Sequence, residues 1–217
     1  MKGKNSKELY VSISFILAFV LWTFAVSLVD VKAIGPQNSS VGFATVNGYI
    51  HNLFGVHMTL YVITDWLSLV PAVFIASFGL LGFVQLIKRK SIAKVDHSIL
   101  VLGGFYIGVM AIYILFEFMV INYRPVLING VLEASYPSST TMLVLCVVPT
   151  AVMQIKSRIN NIILNKFVSV GLMIFTVFMI TARLISGVHW FTDIVGGTLI
   201  SCGFVVMYCY LCKLVVK

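Results

Sequence analysis

The stretch TARLISGVHWFTD, from Thr181 to Asp193, places an arginine, a histidine and an aspartate at the junction of two apolar segments. Ser186 and Gly187 interrupt the apolar run, so we predict that one helix ends there and that another begins shortly afterwards. His189 and Asp193 are four residues apart, which places them on one face of the second helix. Polar residues gathered at a helix junction in so apolar a chain indicate a functional site.

The composition is that of an integral membrane protein. Of the 217 residues, 60% are hydrophobic and only 10% are charged, whereas about 25% of the residues are charged in a soluble domain. The formal net charge of +8 is typical of a membrane protein with cytoplasmic Lys and Arg that attract anionic lipid. No basic stripe with interleaved aromatic residues lies between the apolar segments, so nucleic acid is not an expected partner.

Six apolar segments approach or exceed the roughly 20 residues that a helix needs to cross a bilayer. They are Leu9–Val29, Met58–Ile87, Ser98–Tyr123, Ser138–Ile155, Phe167–Ser186 and Trp190–Cys212. We therefore predict an all-α, polytopic membrane protein in which residues 1–217 form a single domain. The segments also contain all the cysteines, for which we predict buried free thiols: Cys146, Cys202, Cys209 and Cys212.

Lysine and arginine residues lie mostly in alternate connections, and this asymmetry predicts the orientation. Twelve of them fall on one side: Lys2, Lys4, Lys7, Lys88, Arg89, Lys90, Lys94, Lys156, Arg158, Lys166, Lys213 and Lys217. The other side has three, Lys32, Arg124 and Arg183. The positive-inside rule then places both termini in the cytoplasm of a cell-membrane protein. The long connection from Val31 to His57 is expected outside, as a short interfacial helix or a lid.

Three polar clusters that are far apart in the sequence are predicted to meet at the extracytoplasmic face. Arg124 ends the third span, the stretch YPSSTTM around Ser138 begins the fourth, and Arg183 ends the fifth. Each suits a phosphate, because helix N-termini and seryl hydroxyls bind anions and a guanidinium group donates two parallel hydrogen bonds. In this arrangement His189 presents Nε2 to phosphorus, while Asp193 accepts the Nδ1 proton.

These clusters resemble the motifs of the type 2 phosphatidic acid phosphatase superfamily, a family of membrane lipid phosphatases. The resemblance rests on residues of three motifs: Arg124 and Pro125 in the first, Pro137 and Ser138 in the second, and Arg183, His189 and Asp193 in the third. Ser139 stands at the glycine position of the second motif, and Ala182 stands where the third usually has serine. It implies that His189 forms a phosphohistidine and that Asp193 orients it. It also implies a phosphate-binding set, with no metal or other cofactor: Arg124, Arg183, Ser138 and Ser139.

The chain departs from the family pattern at two positions that carry chemistry. Glu117 stands where the first motif has lysine, and Thr140 stands where the second motif has the histidine that protonates the leaving group. Asp65, in the second span, is a further acid within the membrane, where ionisable residues are costly and are usually paired or functional. We expect Glu117 and Asp65 to pair with Arg124 or Arg183, or else one of them to act as an acid or base.

The sequence predicts a metal-independent phosphatase that releases phosphate from a lipid in the outer leaflet. The expected substrate is a polyprenyl diphosphate, such as undecaprenyl diphosphate, or a phospholipid phosphate. Membrane lipids are expected as further partners, because they surround the spans. Because Thr140 is a poor acid, we predict a preference for diphosphates. Two alternatives stay open: a catalytically weak relative that binds or senses lipid phosphates, and a small transporter of anions or lipids. The oligomeric state has no signature in the sequence.

Overall fold

The computed structural model describes residues 2–215, with side chains described from residue 7 onward. Its α-helices are α1 (Lys2–Leu28), α2 (Ala44–Phe54), α3 (Met58–Leu67), α4 (Leu69–Arg89), α5 (His97–Phe118), α6 (Ser139–Lys156), α7 (Ile162–Ile185) and α8 (Phe191–Val215). Six segments are long and apolar enough to span a membrane, because α3 and α4 together form one apolar stretch. The prediction of an all-helical protein with six spans is confirmed. The cysteines within the spans are free thiols, as predicted, but only Cys146 is buried, and the other three are half-buried.

Several predicted boundaries differ from the structure, among them the start of α1, which lies at Lys2 and not at Leu9, and boundaries of the third and fifth spans. α5 ends at Phe118, earlier than the predicted end at Tyr123, and Tyr123 instead forms an isolated bridge with Ala134. The connection after α5 therefore folds back on itself. α7 begins earlier than predicted, at Ile162, because the side chain of Asn161 caps its first turn.

α8 packs against α1, α5 and α6, and this position holds the residues at its start in place. α1 approaches closely because Gly203 has no side chain, and a Cβ there would lie 2.9 Å from Ile16. Ser12 donates a hydrogen bond to the Gly203 carbonyl at 2.8 Å. Small residues at a crossing point are a common way for membrane helices to pack. The contact thereby fixes α8, which carries Asp193.

Two glycines of α8 admit the segment that leads into α6. A Cβ at Gly196 would lie 2.6 Å from the ring of Tyr136, and a Cβ at Gly197 would lie 3.0 Å from the carbonyl oxygen of Ser138. Tyr136 is buried among aromatic rings of α1 and α5, and its hydroxyl lies 2.7 Å from Thr23 Oγ1. The start of α6 is therefore held directly against the start of α8.

The long connection between the first two spans contains a short helix, α2, as predicted. Asn47 of α2 donates to Thr192 Oγ1 at 3.0 Å and accepts from the Thr192 backbone N–H at 3.2 Å. After α2 the chain turns at Gly55, and a Cβ at Gly187 would lie 2.0 Å from the Gly55 carbonyl oxygen. Gly187 also has φ of +67°, which glycine adopts without strain. α2 and the turn after it therefore brace the junction of α7 and α8, and a lid role stays a prediction.

Candidate active site

Residues from all three polar clusters lie together at one end of the helix bundle. His189 occupies the turn before α8 and is 3% exposed. Its Nε2 lies 3.3 Å from Arg124 Nη1, and its Nδ1 lies 3.6 Å from Asp193 Oδ2. The fold thus brings the first and third clusters into direct contact.

A cavity of about 240 Å³ opens beside His189. Its polar lining comes from α5, the connection after it, the start of α6 and the turn before α8: Glu117, Arg124, Glu133, Ser135, Ser139 and His189. A cavity of this size admits a phosphate group. In the part of the chain that the structure describes, no group of three or more His, Cys, Asp or Glu side chains is arranged to hold a metal ion.

Arg183 is held by residues of the second span. It is 2% exposed, donates from Nη1 to Thr64 Oγ1 at 3.0 Å, and lies 4.7 Å from the centre of the Tyr61 ring. Asp65 lies 4.0 Å from Arg183 Nη2, so the predicted pairing of Asp65 with an arginine is confirmed. Arg124 lies 5.9 Å from the centre of the same tyrosine ring. Tyr61 therefore contacts both guanidinium groups, and the negative electrostatic potential of its ring face stabilises the two neighbouring positive charges.

Glu117 does not pair with either arginine, so that prediction is wrong. Arg124 forms its ion pair with Glu133, with 3.0 Å between Nε and Oε2, and Glu117 makes no salt bridge within residues 7–215. The reason is the path of the chain after α5. Arg124 N–H donates to the Glu133 carbonyl at 3.0 Å, which places these two residues side by side, whereas Glu117 lies on the last turn of α5, before the connection begins. Glu117 instead lines the cavity.

The two serines at the start of α6 have different environments. Ser138 is fully buried and caps the helix, because its Oγ accepts from Thr141 N–H at 3.4 Å. The backbone N–H of Ser138 donates to the Asp193 carbonyl at 3.0 Å. Ser139 lines the cavity beside His189. Of this predicted pair, Ser139 is therefore the residue whose position suits direct contact with a phosphate.

Thr140 faces a second cavity. This cavity has a volume of about 280 Å³, is lined also by Asp65, and adjoins the first because Tyr113, Ser139 and Met142 line both. Thr140 is 7% exposed. Thr140 therefore lines the second cavity, whereas His189 lines the first.

Two residues that the sequence did not single out hold Asp193. Ser135 Oγ donates a hydrogen bond to Asp193 Oδ2, and Asn122 Nδ2 donates to Oδ1 at 3.3 Å. Trp190 N–H adds a third donor, at 2.9 Å from Oδ2. These donors replace the water that a carboxylate loses on burial. Ser135 and Asn122 each lie two residues before a motif residue, and that proximity is the signal that points to them.

The hydrogen bonds assign the protonation state of His189. Arg124 has only donors, so Nε2 accepts from its Nη1 and carries no proton. Nδ1 lies 3.1 Å from Ser135 Oγ, whose own proton goes to Asp193, so Nδ1 carries a proton and donates it to Ser135. Burial lowers the pKa of His189 well below its usual value, the charges of Arg124 and Arg183 lower it further, and a hydrogen bond to the backbone of Ser135 opposes them. The imidazole is therefore neutral, with the lone pair on Nε2.

Comparison with known proteins gives a family match and a similar fold. Residues 121–215 match the sequence model of the PAP2 superfamily. The fold is similar to the crystal structure of a transmembrane PAP2-type phosphatidylglycerolphosphate phosphatase from Bacillus subtilis, with 18% identity and a TM-score of 0.58. The likeness covers 93% of this chain and 94% of that chain, and it shows a shared fold. No curated protein sequence matches the chain.

Proposed function

We propose that this chain, which belongs to the PAP2 superfamily, hydrolyses a lipid phosphate through a covalent intermediate on His189. The family and the likeness to a membrane phosphatase support a lipid phosphatase in a multi-pass membrane protein. The observation that carries the proposal is the contact of 3.3 Å between Arg124 Nη1 and His189 Nε2 beside a polar cavity.

The reaction has two steps on the same nitrogen. In the first, the Nε2 lone pair forms a bond to phosphorus while the bond from phosphorus to the lipid oxygen breaks, and the electron pair of that bond stays on the leaving oxygen. In the second, water attacks phosphorus, the P–N bond breaks, and dihydrogen phosphate leaves with both protons of the water. His189 keeps its Nδ1 proton throughout, so it returns to the state in which it began.

Arg124 lines the cavity, and Arg183, over the same Tyr61 ring, adds a second positive charge beside it, which suits phosphoryl transfer. Both are buried, at 8% and 2% exposure, so water screens their charges weakly. A guanidinium group binds two phosphate oxygens in a fork, which positions phosphorus as well as neutralising it. Phosphoryl transfer depends mostly on such positioning and charge stabilisation.

The leaving group is the basis for proposing a substrate. Thr140 carries no proton that it can release near neutral pH, and it faces the second cavity. A leaving phosphate has a second pKa of about 6 and departs without a proton, so a polyprenyl diphosphate is our first candidate. A phospholipid monophosphate is the second, because the similar structure is described as a phosphatidylglycerolphosphate phosphatase. For that substrate we propose Glu117 as the proton donor, because it lines the cavity and has no ion pair among residues 7–215.

Phosphate release by the purified protein tests the proposal. We expect release from polyprenyl diphosphate in detergent micelles, and an acid-labile phosphoenzyme when the reaction is quenched early. His189→Ala is expected to abolish both, and Asp193→Asn to reduce release strongly. His97→Ala is the matched control, because His97 is exposed at the opposite end of α5. Ordinary turnover by His189→Ala would exclude the mechanism, and lipid binding without release would favour a non-catalytic relative.

We also propose that the site opens on the extracytoplasmic side, with both termini in the cytoplasm. The twelve-to-three distribution of Lys and Arg supports this orientation. Val131 and Ile92 are both exposed, in connections at opposite ends of the bundle. An impermeant thiol reagent is expected to label Val131→Cys in intact cells and to leave Ile92→Cys unlabelled. The reverse pattern would invert the orientation.

A further inference from the structure

We infer that the hydroxyl of Ser135 is a positioning group that joins His189 to Asp193 and holds the imidazole in the tautomer with its proton on Nδ1. This inference rests on the proposed function, in which His189 is the nucleophile. It changes how Asp193 acts, because the carboxylate then orients the imidazole through Ser135 and not by direct contact.

The distances support an indirect link. His189 Nδ1 lies 3.6 Å from Asp193 Oδ2, which is beyond the usual range of a hydrogen bond. Ser135 Oγ lies 3.1 Å from that Nδ1 and in hydrogen-bond contact with Asp193 Oδ2. A seryl hydroxyl has one proton, and an ionised carboxylate only accepts. The proton of Ser135 is therefore committed to Asp193, and its oxygen accepts from His189.

The chain fixes Ser135 in this position. The residue is 3% exposed, and its backbone N–H donates to the Asn122 carbonyl at 2.9 Å. Asn122 also donates from its side chain to Asp193 Oδ1 at 3.3 Å. The next residue, Tyr136, packs against Gly196 of α8. The end of the connection between α5 and α6 thus places Ser135 against Oδ2 of Asp193, and its start places Asn122 against Oδ1.

The link has a specific effect during the covalent step. When Nε2 bonds to phosphorus, the ring of His189 gains positive charge and Nδ1–H becomes a stronger donor. A hydroxyl that accepts from Nδ1 while it donates to a carboxylate passes on the stabilising effect of the negative charge. No proton has to move along this chain. Without the hydroxyl, the Nδ1 proton loses its side-chain acceptor, and the tautomer is then favoured mainly by the donor Arg124 at Nε2.

A merely structural role predicts a different outcome. If Ser135 only satisfies the buried carboxylate of Asp193, then its removal alters stability and leaves the tautomer of His189 unchanged. The tautomer is therefore the decisive readout. Nitrogen chemical shifts distinguish a protonated from an unprotonated ring nitrogen, and the chain has only four histidines. A His189→Gln variant assigns the signal of His189 by its disappearance.

The experiment compares variants of the full chain, labelled with ¹⁵N-histidine, in lipid bilayers. Ser135→Ala removes the hydroxyl, and Ser135→Cys keeps a similar size with a weakly hydrogen-bonding thiol. Ser135→Thr restores a hydroxyl. Ser201→Ala is the matched control, because Ser201 is a fully buried serine of α8 whose hydroxyl bonds to the backbone of Gly197. Nitrogen spectra and steady-state kinetics are recorded for each variant.

We expect the wild type, Ser135→Thr and Ser201→Ala to carry the His189 proton on Nδ1. Ser135→Ala and Ser135→Cys are expected to shift protonation toward Nε2. The same two variants are expected to lose about 10- to 100-fold in kcat, the usual effect of losing a hydrogen bond to a charged group, with KM little changed.

An unchanged tautomer in Ser135→Ala or Ser135→Cys overturns the inference, whatever the activity. A proton on Nε2 in the wild type overturns it as well, and this measurement needs no variant to fold. A wild-type chain that releases no phosphate would defeat the proposed function instead. The tautomer comparison would still decide whether Ser135 controls the imidazole.

Discussion

Arg124 forms an ion pair with Glu133, with 3.0 Å between Nε and Oε2, while its Nη1 lies 3.3 Å from Nε2 of His189. One guanidinium group therefore contacts both an acid of the cavity wall and the proposed nucleophile. A phosphate that enters the cavity competes with Glu133 for the same positive charge. Since the side chain of Glu133 is 38% exposed, water screens the ion pair and weakens it. The pair is thus able to yield to a more highly charged anion.

We predict that Glu133→Gln strengthens phosphate binding, because Arg124 loses a competing anion. The inhibition constant of inorganic phosphate is expected to fall about two- to fivefold, the range for a screened ion pair. Inhibition of lipid hydrolysis by added phosphate measures this constant. Glu8→Gln is the control, because it breaks an ion pair with Lys213, far from the cavity. A rise in the inhibition constant would show that Glu133 mainly positions Arg124.

We predict that Arg183 matters far more for kcat/KM than its ion-pair partner Asp65. Arg183→Lys is expected to lower kcat/KM about 10- to 100-fold, because an ammonium group cannot keep the bond to Thr64, the contact with the Tyr61 ring and a phosphate fork at once. Asp65→Asn is expected to change kcat/KM less than about threefold, since Asp65 is 60% exposed and 4.0 Å away. Arg158→Lys, near the other end of α6, is the control. Equal losses for the Arg183 and Asp65 variants would refute this ranking.

The third prediction concerns pH. The pKa of His189 is lowered by burial and by the charges of Arg124 and Arg183, so kcat/KM is expected to hold as the pH falls through about 6.5 and to decline only below it. Protonation then removes the Nε2 lone pair. Arg124→Gln removes one positive charge, so the acid limb is expected to move to higher pH. Comparing both proteins on one substrate cancels the titration of the substrate. Arg158→Gln is expected to leave the limb unmoved.

The lowered pKa of His189 also makes the free energy of unfolding depend on pH. Below pH about 6.5 an unfolded chain binds a proton at His189 that the folded chain does not bind. The free energy of unfolding therefore falls as the pH drops toward the folded-state pKa. A His189→Gln variant is expected to lose this part of the pH dependence. A steeper dependence in that variant would contradict the neutral imidazole.

Hydropathy predicted the six spans well because each span has to be apolar along a length set by the bilayer. The meeting of Arg124 with His189 followed from the order and direction of those spans. The contacts of Glu133, Ser135 and Asn122 could not be predicted, because they depend on how the connection after α5 folds. That segment has no helical or strand period, and isolated bridges fold it back on itself. The expectation that Glu117 pairs with arginine failed for the same reason, since the folded connection delivers a closer acid.

Thr140 provides the last prediction, which concerns the choice of substrate. An alkoxide that leaves a phosphate monoester is a strong base, and general acid help contributes about 10²- to 10⁴-fold to such a step. A leaving phosphate does not need that help, because its second pKa is about 6. Thr140 is neutral and faces the cavity that contains Asp65. We therefore expect the wild type to cleave a polyprenyl diphosphate at least about 100-fold faster than phosphatidate.

Substitutions at two positions test this explanation. Thr140→His is expected to raise monophosphatase activity relative to diphosphatase activity, because the adjoining walls at Ser139 and Met142 place residue 140 next to the first cavity. Thr140→Asn is the matched control, since it is polar but has no proton to give. Glu117→Gln is expected to remove the residual monophosphatase activity, because Glu117 is the carboxyl in the cavity wall without an ion pair among residues 7–215. The leaving-group argument fails if the wild type cleaves phosphatidate faster than the diphosphate and Glu117→Gln does not change this. If Thr140→His gains monophosphatase activity and Thr140→Asn does not, the missing acid is the cause of the preference.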